Sequence, residues 1–304
     1  MQIKNRTRLF NLSEILWLAV LCLAAAVVPC AAQNFRFDAP AVKGSRVTYL
    51  DLARKISADA DIENEAASYA TTFKNPAVRH LFGAAEKALD APPITLEIAD
   101  RLETSDDKGG KILWLIFSVA EPEEAICEAC LKKILAAFRV SRTRAELIDA
   151  ADVRTGFEVR FDSARPKLEI APGREAVLLW NYSYSYLKGD SVSIIAADAA
   201  QGGFKVLLDQ FEVGRLYRWD CDKWYEERAN LRLSKPARAG FRNLEIAVET
   251  QGGSGDYDFP KLKASSRFRY VFAWQPNARA YQAIVKPDEK RNALVKRLAP
   301  DCRE

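Results

Sequence analysis

The chain has 304 residues, of which 49% are hydrophobic and 28% are charged, an ordinary globular composition that can bury a core. Its formal net charge is +4, and residues 1–32 contribute +2 of it, because they hold three basic residues and one glutamate. The +2 that remains is too small to indicate a nucleic-acid-binding surface, and no ribonucleoprotein-like string of basic and aromatic residues occurs.

The N-terminal residues have the pattern of a secretory leader. Lys4, Arg6 and Arg8 precede the apolar run ILWLAVLCLAAAVV (15–28), which Pro29 ends. This order is typical of a signal peptide, so we expect residues 1–32 to be removed and the protein to be periplasmic or extracellular. Two alternatives are a membrane anchor, for which the run is short of the roughly 20 residues needed, and lipidation, which would fall on Cys30.

Four cysteines follow the predicted leader, namely Cys127, Cys130, Cys221 and Cys302. In an oxidising compartment four cysteines most simply form two disulfides. Four cysteines allow three connectivities, and the sequence does not select among them. The pairing that we favour joins Cys127 to Cys130 and Cys221 to Cys302, and the second bond would tie the C-terminal tail to the middle of the chain.

Residues 33–92 are predicted to form a mostly helical N-terminal segment. The apolar residues of VTYLDLARKI (47–56) recur at helical spacing, which indicates a helix with one apolar face. Asn75-Pro76 can open a second helix, running to Leu89 and carrying His80, because proline is favoured at the first helical position.

Residues 93–287 are predicted to form a β-rich domain. From Ile94 onward, short strand-like runs alternate with turn residues, a spacing typical of all-β sandwiches, barrels and propellers. Residues 122–138 fit either a helix or a strand running from Leu131 to Val140. Residues 288–304 are predicted to form a charged helical tail.

Three strand-like runs begin at a nearly constant step along the β-rich domain. They are KILWLIFSV (111–119), AVLLWNYSYSY (176–186) and NLEIAVE (243–249). The step is longer than the roughly 20–50 residues of common repeats, so each repeated unit is expected to hold several strands. The predicted fold is therefore mainly β, with a small helical N-terminal segment and three repeated multi-strand antiparallel units, propeller-like or sandwich-like. Propellers usually need about four to eight blades, so three units would be too few to close a ring.

The predicted strand pairs LAAFRVSRTRAELIDAADV (135–153) and YVFAWQPNARAYQAIV (270–285) resemble those of exported bacterial β-repeat proteins of unknown function, and distantly the FG-GAP type of propeller blade. The resemblance covers residues 111–285. The calcium loop of that blade is absent, because Asp220-Cys221-Asp222 and Asp256-Tyr257-Asp258 each supply only two carboxylates. The resemblance therefore implies a repeat fold and no site.

The sequence Cys127-Glu128-Ala129-Cys130 is the sharpest chemical motif. A CxxC pair at a helix N-terminus has a lowered thiol pKa and can exchange disulfides. The aromatic residue and proline usual beside such a redox motif are missing here, which favours a structural disulfide or inert thiols. Zinc would need two further ligands, and the spacing to Cys221 and Cys302 matches no known zinc ribbon.

His80 is the single histidine of the chain, so any nucleophilic mechanism that needs an imidazole base would have to use it. No nucleotide-binding, serine-hydrolase or zinc-protease string occurs, and we expect no cofactor and no metal. The carboxylate pairs Asp106-Asp107 and Glu226-Glu227 could serve glycosidase chemistry only at the separation that this chemistry needs. Neighbouring carboxylates on turns are more often solvated charges.

An aromatic face is predicted on the strand that begins at residue 176. Side chains alternate across a strand, which places on one face Trp180, Tyr182, Tyr184 and Tyr186. Such a face packs against another layer of the core or stacks on a sugar ring or a peptide. We predict an exported binding or scaffold module without catalytic activity. The alternatives are a thiol–disulfide protein that uses Cys127 and Cys130, and a glycan-binding or glycan-acting protein that uses the aromatic face.

Overall fold

The structure is a computed structural model, and the unit described here begins at Phe35. It describes residues 35–62, 67–82, 93–106, 109–120, 132–153, 158–182, 190–198, 203–213, 215–218, 223–236, 240–255 and 261–298. The predicted leader and all four later cysteines lie outside these residues, as do Tyr184 and Tyr186.

The described residues are mainly β, with sixteen strands and two helices. The strands are β1 (Ala70–Thr72), β2 (Arg79–His80), β3 (Ile94–Ser105), β4 (Lys111–Ala120), β5 (Lys132–Val140), β6 (Ala145–Asp152), β7 (Glu158–Phe161), β8 (Lys167–Ala171), β9 (Arg174–Tyr182), β10 (Asp190–Asp198), β11 (Gly203–Val213), β12 (Arg215–Arg218), β13 (Lys223–Pro236), β14 (Arg242–Ser254), β15 (Lys261–Gln275) and β16 (Ala280–Val285). The helices are α1 (Tyr49–Ala53) and α2 (Asp288–Leu298).

The strands form three sheets in chain order. The first sheet has the order β1-β3-β4-β5-β6-β2, the second β11-β10-β9-β7 with β8 also on β9, and the third β12-β13-β14-β15-β16. Neighbouring strands are antiparallel, except that β2 runs parallel to β6. The prediction of a mainly β fold with three antiparallel units is confirmed, and each of the three repeated runs is an interior strand of a different sheet.

The burial of each repeated strand follows its sequence pattern. Strand β4 is apolar on both faces and is buried on both, with Leu113, Leu115 and Phe117 on one side and Ile112, Trp114 and Ile116 on the other. Strand β14 alternates, so that Leu244, Ile246 and Val248 are buried, whereas Glu245 and Glu249 pair with arginines of β15 on the outer face. Period-two alternation thus marks the strand that is covered on one side only.

Consecutive sheets pack face to face. One cluster of buried side chains joins the N-terminal segment to the first sheet, a second joins the first sheet to the second, and a third joins the second sheet to the third and to α2. The described residues therefore form an open stack of three sheets. The sandwich-like alternative fits this stack, and a closed propeller is not confirmed.

Two aspartates at β-bulges join the first sheet to the outer strands of the second. The register of β3 shifts between Ile98 and Asp100, and Asp100 accepts the main-chain N–H of Phe161 on β7 at 2.9 Å. The register between β5 and β6 shifts next to Asp149, which accepts the N–H of Phe204 on β11 at 2.7 Å. A bulge aims a side chain out of the regular ladder, and here each carboxylate satisfies a main-chain donor of the neighbouring sheet.

The N-terminal segment differs from its prediction. Helix α1 confirms part of the helix expected over 47–56, and it begins at a capping box in which Thr48 and Asp51 bond each other's main-chain N–H. The helix expected from Asn75 is wrong at Arg79–His80, which form β2 and pair with Ala151–Asp152 of β6. The pairing with β6 and the ion pair of Arg79 with Asp149 outweigh the local helical pattern, which is only a weak preference. Residues 83–90 lie outside the described part.

Strand β5 confirms the strand alternative for the described part of the ambiguous segment, because Lys132–Val140 pair with both β4 and β6. Residues 122–131 lie outside the described part. The C-terminal helix α2 lies within the predicted charged tail and packs Leu294 and Leu298 against the core between the second and third sheets. Neither α1 nor α2 is long and apolar enough to span a bilayer.

Candidate functional site

The predicted aromatic face lies on the side of β9 that faces the third sheet. Leu178 is buried there, and the half-buried Trp180 packs at the border of the same cluster. The interpretation of this face as a layer packed in the core therefore holds for Leu178. Trp180 is only half-buried, because it lines an open cleft between the two sheets.

The cleft between the second and third sheets has a volume of about 220 Å³. Its floor is apolar and its rim is polar. The lining residues are Leu178, Trp180, Val192, Ala229, Leu231, Ile246, Ala164, Asp162, Arg165 and Asn230. A mainly apolar cleft with a few convergent polar groups is the usual composition of a ligand-binding site.

One rim of the cleft is the turn between β7 and β8. Asp162 accepts the main-chain N–H of Ala164 at 2.9 Å and of Arg165 at 2.6 Å, which is the local bonding that makes aspartate a turn residue. Leu178 donates its N–H to the carbonyl of Pro166 at 2.9 Å. The turn is thereby held against β9, beside Trp180.

The turn also contacts the third sheet. Nη1 of Arg165 donates to the carbonyl of Leu231 on β13 at 2.7 Å. Because guanidinium groups present several donors in a fixed plane, Arg165 can bond Leu231 and keep other donors facing the cleft. This bond joins the two walls of the cleft at its rim.

Trp180 is oriented by its neighbours. Its indole Nε1 lies 3.4 Å from Oδ2 of Asp190, and its ring centroid lies 5.9 Å from that of Tyr182. Burial raises the pKa of Tyr182, and the nearby carboxylates of Asp162, Asp190 and Glu158 raise it further. The phenol of Tyr182 therefore keeps its proton at neutral pH.

The other residues considered from the sequence lie elsewhere. His80 lies in the first sheet, and its Nδ1 accepts the main-chain N–H of Phe82 at 3.3 Å. Glu226 and Glu227 are neighbours on β13 and point to opposite faces, since Glu226 meets Gln251 on the outer face and Glu227 meets Thr250 inside. Asp107 lies outside the described residues, so the second carboxylate pair is not placed.

The cysteine predictions concern residues outside the described part of the chain. This holds for Cys127, Cys130, Cys221 and Cys302, and with them for the disulfide, redox and zinc alternatives. Within the described residues, no group of three or more histidine, aspartate or glutamate side chains is arranged to hold a metal ion.

Of the lining residues, the sequence singles out only Trp180, and the contact between Arg165 and Leu231 is not visible in it. The string DSARP (162–166) between two strand-like runs indicates a turn, but nothing local indicates what the turn contacts. Its partner Leu231 lies 66 residues further along the chain. Only the stacking of two sheets brings them together.

A second, polar cleft lies between α1 and the β5–β6 turn. It has a volume of about 450 Å³ and is lined by charged residues that include Arg46, Asp51, Lys55, Arg144 and Glu146. These side chains are exposed. Val47, Ala145 and Leu147 also line the cleft, but none of its described lining residues is aromatic. The Trp180 cleft is therefore the better candidate.

No known family model, no curated protein and no solved structure matches the chain. The resemblance to exported β-repeat proteins therefore remains a prediction, and the function must be argued from the cleft itself.

Proposed function

We propose that this protein is an exported binding module without catalytic activity and that it holds its ligand in the Trp180 cleft. The observation that carries the proposal is the half-buried Trp180 on an apolar floor, below a rim that supplies Asp162 and Arg165. Aromatic residues with a polar end and arginines are enriched where proteins bind partners. Export is proposed from the leader-like pattern of residues 1–32.

The chemistry of the rim favours binding over catalysis. A general base must be oriented and close to a proton that it can abstract. Asp162 instead uses one carboxylate oxygen to accept two main-chain N–H groups of its own turn, and Arg165 bonds a main-chain carbonyl. These groups shape and charge the rim, and such roles suit recognition.

The redox alternative depends on Cys127 and Cys130, which lie outside the described residues, and it gains no support from the cleft. The glycan alternative uses the same tryptophan as our proposal. It differs only in the chemistry of the ligand, so a single screen can separate them.

The test is a screen of the purified mature protein on a glycan array and on a peptide array. We expect binding on at least one array, and a loss of about tenfold or more in affinity for Trp180→Ala, as is typical of a central aromatic anchor. The control is Phe73→Ala, because Phe73 is 64% exposed and lies beside β1 of the first sheet, away from the cleft. It should bind like the wild type.

Thermal melting of each variant shows whether it is folded. Trp180→Phe keeps an aromatic ring in place and serves if Trp180→Ala does not fold, and we expect it to lose part of the affinity. Hits that bind Trp180→Phe and a folded Trp180→Ala as tightly as the wild type would contradict the proposal, and so would the absence of any hit on both arrays.

A further inference from the structure

We infer that the ligand of the Trp180 cleft is an extended peptide, which adds as a strand to the open edge of β13 and alternates apolar with acidic residues. This inference rests on the proposed function, because it names the chemical class of the ligand for the same cleft. It is carried by the main-chain geometry of β13, by the faces of its side chains and by the charges on its outer side.

Most of β13 has one open edge. Strand β13 runs from Lys223 to Pro236, but its outer neighbour β12 pairs only with Lys223–Glu226. Among the described residues, no strand pairs with that side of β13 after Glu226. An unpaired strand edge carries a row of main-chain donors and acceptors that can bond another strand.

Two hydrogen bonds show which residues of β13 point toward the open edge. On β14, Asn243 aims its N–H at β13, where Oγ of Ser234 accepts it at 3.1 Å. Main-chain groups alternate in direction along a strand, so the even-numbered residues of this part of β13 bond β14. The main-chain N–H and C=O groups of the odd-numbered residues Ala229, Leu231 and Leu233 then point away from β14. This direction agrees with the bond from Arg165 to the carbonyl of Leu231.

The open edge borders the cleft. The side chains of Ala229 and Leu231 line the cleft and pack toward the second sheet. A strand added beside them would direct every second side chain over the apolar floor, toward Trp180 and Val192. The carbonyl oxygen of Leu231 has two lone pairs. Arg165 can therefore remain bonded to one of them while an N–H of an added strand donates to the other lone pair.

The outer face sets the charge of the ligand. On β14, Glu245 pairs with Arg269 and Glu249 with Arg267, both on β15. Their other cross-strand neighbours are Arg232 and Arg228 of β13. These glutamates are thus engaged on the far side, and Arg228 also pairs with Glu226 of its own strand at 3.3 Å. The exposed Arg228 and Arg232 present positive charge to the next column, where acidic residues are favoured because opposite charges on facing strands attract.

A peptide fits these observations better than a sugar or a small apolar molecule. A row of main-chain groups at strand spacing is matched by another main chain, with the alternate side chains supplying specificity. A saccharide would use the ring of Trp180 and the rim, and it would leave the donors of Ala229 and Leu233 unused. Bonding to the main chain of this edge therefore distinguishes a peptide ligand from a saccharide.

The test is a titration of the purified protein with two short synthetic peptides. One alternates valine with glutamate, and the control peptide alternates valine with lysine. We expect the glutamate peptide to bind about tenfold more tightly, since each of two cross-strand charge pairs changes from attractive to repulsive. The variant Arg228→Glu/Arg232→Glu should invert this preference. Equal affinities in the wild type would overturn the inferred charge.

A matched pair of variants tests the edge itself. Ala229→Pro removes the N–H that points away from β14, a position at which an edge strand tolerates proline. Ala229→Val keeps that N–H. We expect Ala229→Pro to lose about tenfold in affinity for the glutamate peptide, from one lost hydrogen bond and the clash of the ring. Ala229→Val adds volume at the same position of the cleft but keeps the N–H, and it should lose less affinity than Ala229→Pro. A folded Ala229→Pro with undiminished affinity would overturn the inference.

Amide hydrogen exchange covers the case in which Ala229→Pro does not fold. In the free wild type the amides of Ala229 and Leu233 should exchange quickly, and the glutamate peptide should slow them. Slow exchange in the free monomer would mean that another part of this chain covers the edge, and slow exchange only in a dimer would assign it to a second copy. Either result would overturn the inference.

The proposed function can survive this failure. A glycan that binds the wild type and Ala229→Pro equally, but not Trp180→Ala, would keep the cleft as a binding site and reject the peptide. If no ligand lost affinity in a folded Trp180→Ala, both the peptide inference and the proposed function would be rejected.

Discussion

Arg291 on α2 and Glu227 on β13 form a buried ion pair. Their side chains are 13% and 2% exposed, and Glu227 also accepts from Thr250 at 2.7 Å. Burial lowers the pKa of Arg291, but its bonds to Glu227 and Tyr270 raise it more, so the net pKa lies above its ordinary value. Arg291 also donates to the carbonyl of Glu212 on β11, and it thus joins α2 to two sheets.

Removing one partner of this pair should be costly. Arg291→Met leaves the carboxylate of Glu227 buried without its cation, and we expect a loss of about 3–5 kcal/mol in the free energy of unfolding. Urea unfolding measures it. The double variant Glu227→Gln/Arg291→Met removes the uncompensated charge and should lose less than the single one. A single variant within about 1 kcal/mol of the wild type would show that the pair is not buried as described.

Titration of Asp100 should make the free energy of unfolding depend on pH in the acidic range. Burial raises its pKa, although bonds from the N–H of Phe161 and Arg101 oppose the rise. The pKa of this carboxyl group is higher in the folded protein than in the unfolded chain, where it is about 3.9. Its contribution to the free energy of unfolding is therefore complete at pH values below the unfolded pKa. The contribution is lost as the pH rises through the folded pKa. The advantage of the wild type over Asp100→Asn should therefore shrink between about pH 3 and neutrality.

Asp59 provides a control of opposite sign. The hydroxyl of Ser57 lowers its pKa, so its contribution is present above the unfolded value and is lost as the pH falls through the folded pKa. The advantage of the wild type over Asp59→Asn should grow from acid to neutral pH. Unfolding free energies at several pH values test both, and parallel slopes for the two variants would contradict the assignment of Asp100.

At the scale of single residues, the sequence predicts the tryptophan of the cleft but not its rim. Trp180 follows from the aromatic residues at every second position from Trp180 to Tyr186, and Trp180 and Tyr182 lie on β9. The bond between Arg165 and Leu231 joins residues of different sheets, and no local pattern encodes which sheets stack. The buried pair of Glu227 and Arg291 is hidden for the same reason, since each charge alone suggests a solvated side chain.

At the scale of elements, the pairing of β14 with β15 depends on a close approach of their backbones at Gly253. A Cβ built there would lie 1.8 Å from the carbonyl oxygen of Lys261, and the register shifts between Gly252 and Gly253. We expect Gly253→Ala to cost about 3 kcal/mol, as overpacking of a rigid backbone contact does. The measurement is thermal or urea unfolding.

Gly173 is the matched control for this substitution. It has a φ of +69° in the turn between β8 and β9, and a Cβ there would meet nothing within 4 Å. Gly173→Ala should cost about 1–2 kcal/mol, from the left-handed backbone alone. A larger loss for Gly173→Ala than for Gly253→Ala would contradict the close approach.

The sequence predicts long elements better than short ones. The strands β4, β9 and β14 each bury a regular row of side chains, so their pattern is visible. Strand β2 has two residues, too few to show any period, and its partner β6 is distant in sequence. Its local pattern is helical, and tertiary pairing overrides it.

Across the whole molecule, the described residues place the flanks of two cysteines near each other. The Cδ1 of Leu298 and the Cβ of Tyr225 each lie 3.0 Å from the point where a Cβ of Gly252 would be. Cys302 follows Leu298 and Cys221 precedes Tyr225 by only a few residues, and each residue spans at most about 3.6 Å. A bond between these cysteines is therefore within reach.

We accordingly propose that the protein carries the Cys221–Cys302 disulfide. Peptide mass mapping without reduction should find this link, and reduction should lower the free energy of unfolding by up to about 4 kcal/mol in the chain-entropy account of so long a loop. The variant Cys302→Ser is expected to match the reduced protein. Free thiols at both positions, or a link from Cys221 to Cys127, would contradict the pairing.

The number of sheets is predictable from the sequence and their assembly is not. A constant step between three strand patterns indicates three units, and the structure has three sheets. The order of stacking depends on contacts such as those of Asp100 and Asp149 with the next sheet, which arise from bulges that leave no signature in the chain. The Trp180 cleft is lined by residues of two sheets, so its partners also appear only in the structure.

The most direct test of the account is the indole N–H spectrum of the protein during titration with the peptide that alternates valine and glutamate. The signal of Trp180, assigned by its absence in Trp180→Phe, should shift, whereas those of Trp114 and Trp274, which are 0% and 6% exposed, should stay in place. Binding of the peptide with the Trp180 signal unmoved would contradict the claim that this cleft holds the ligand.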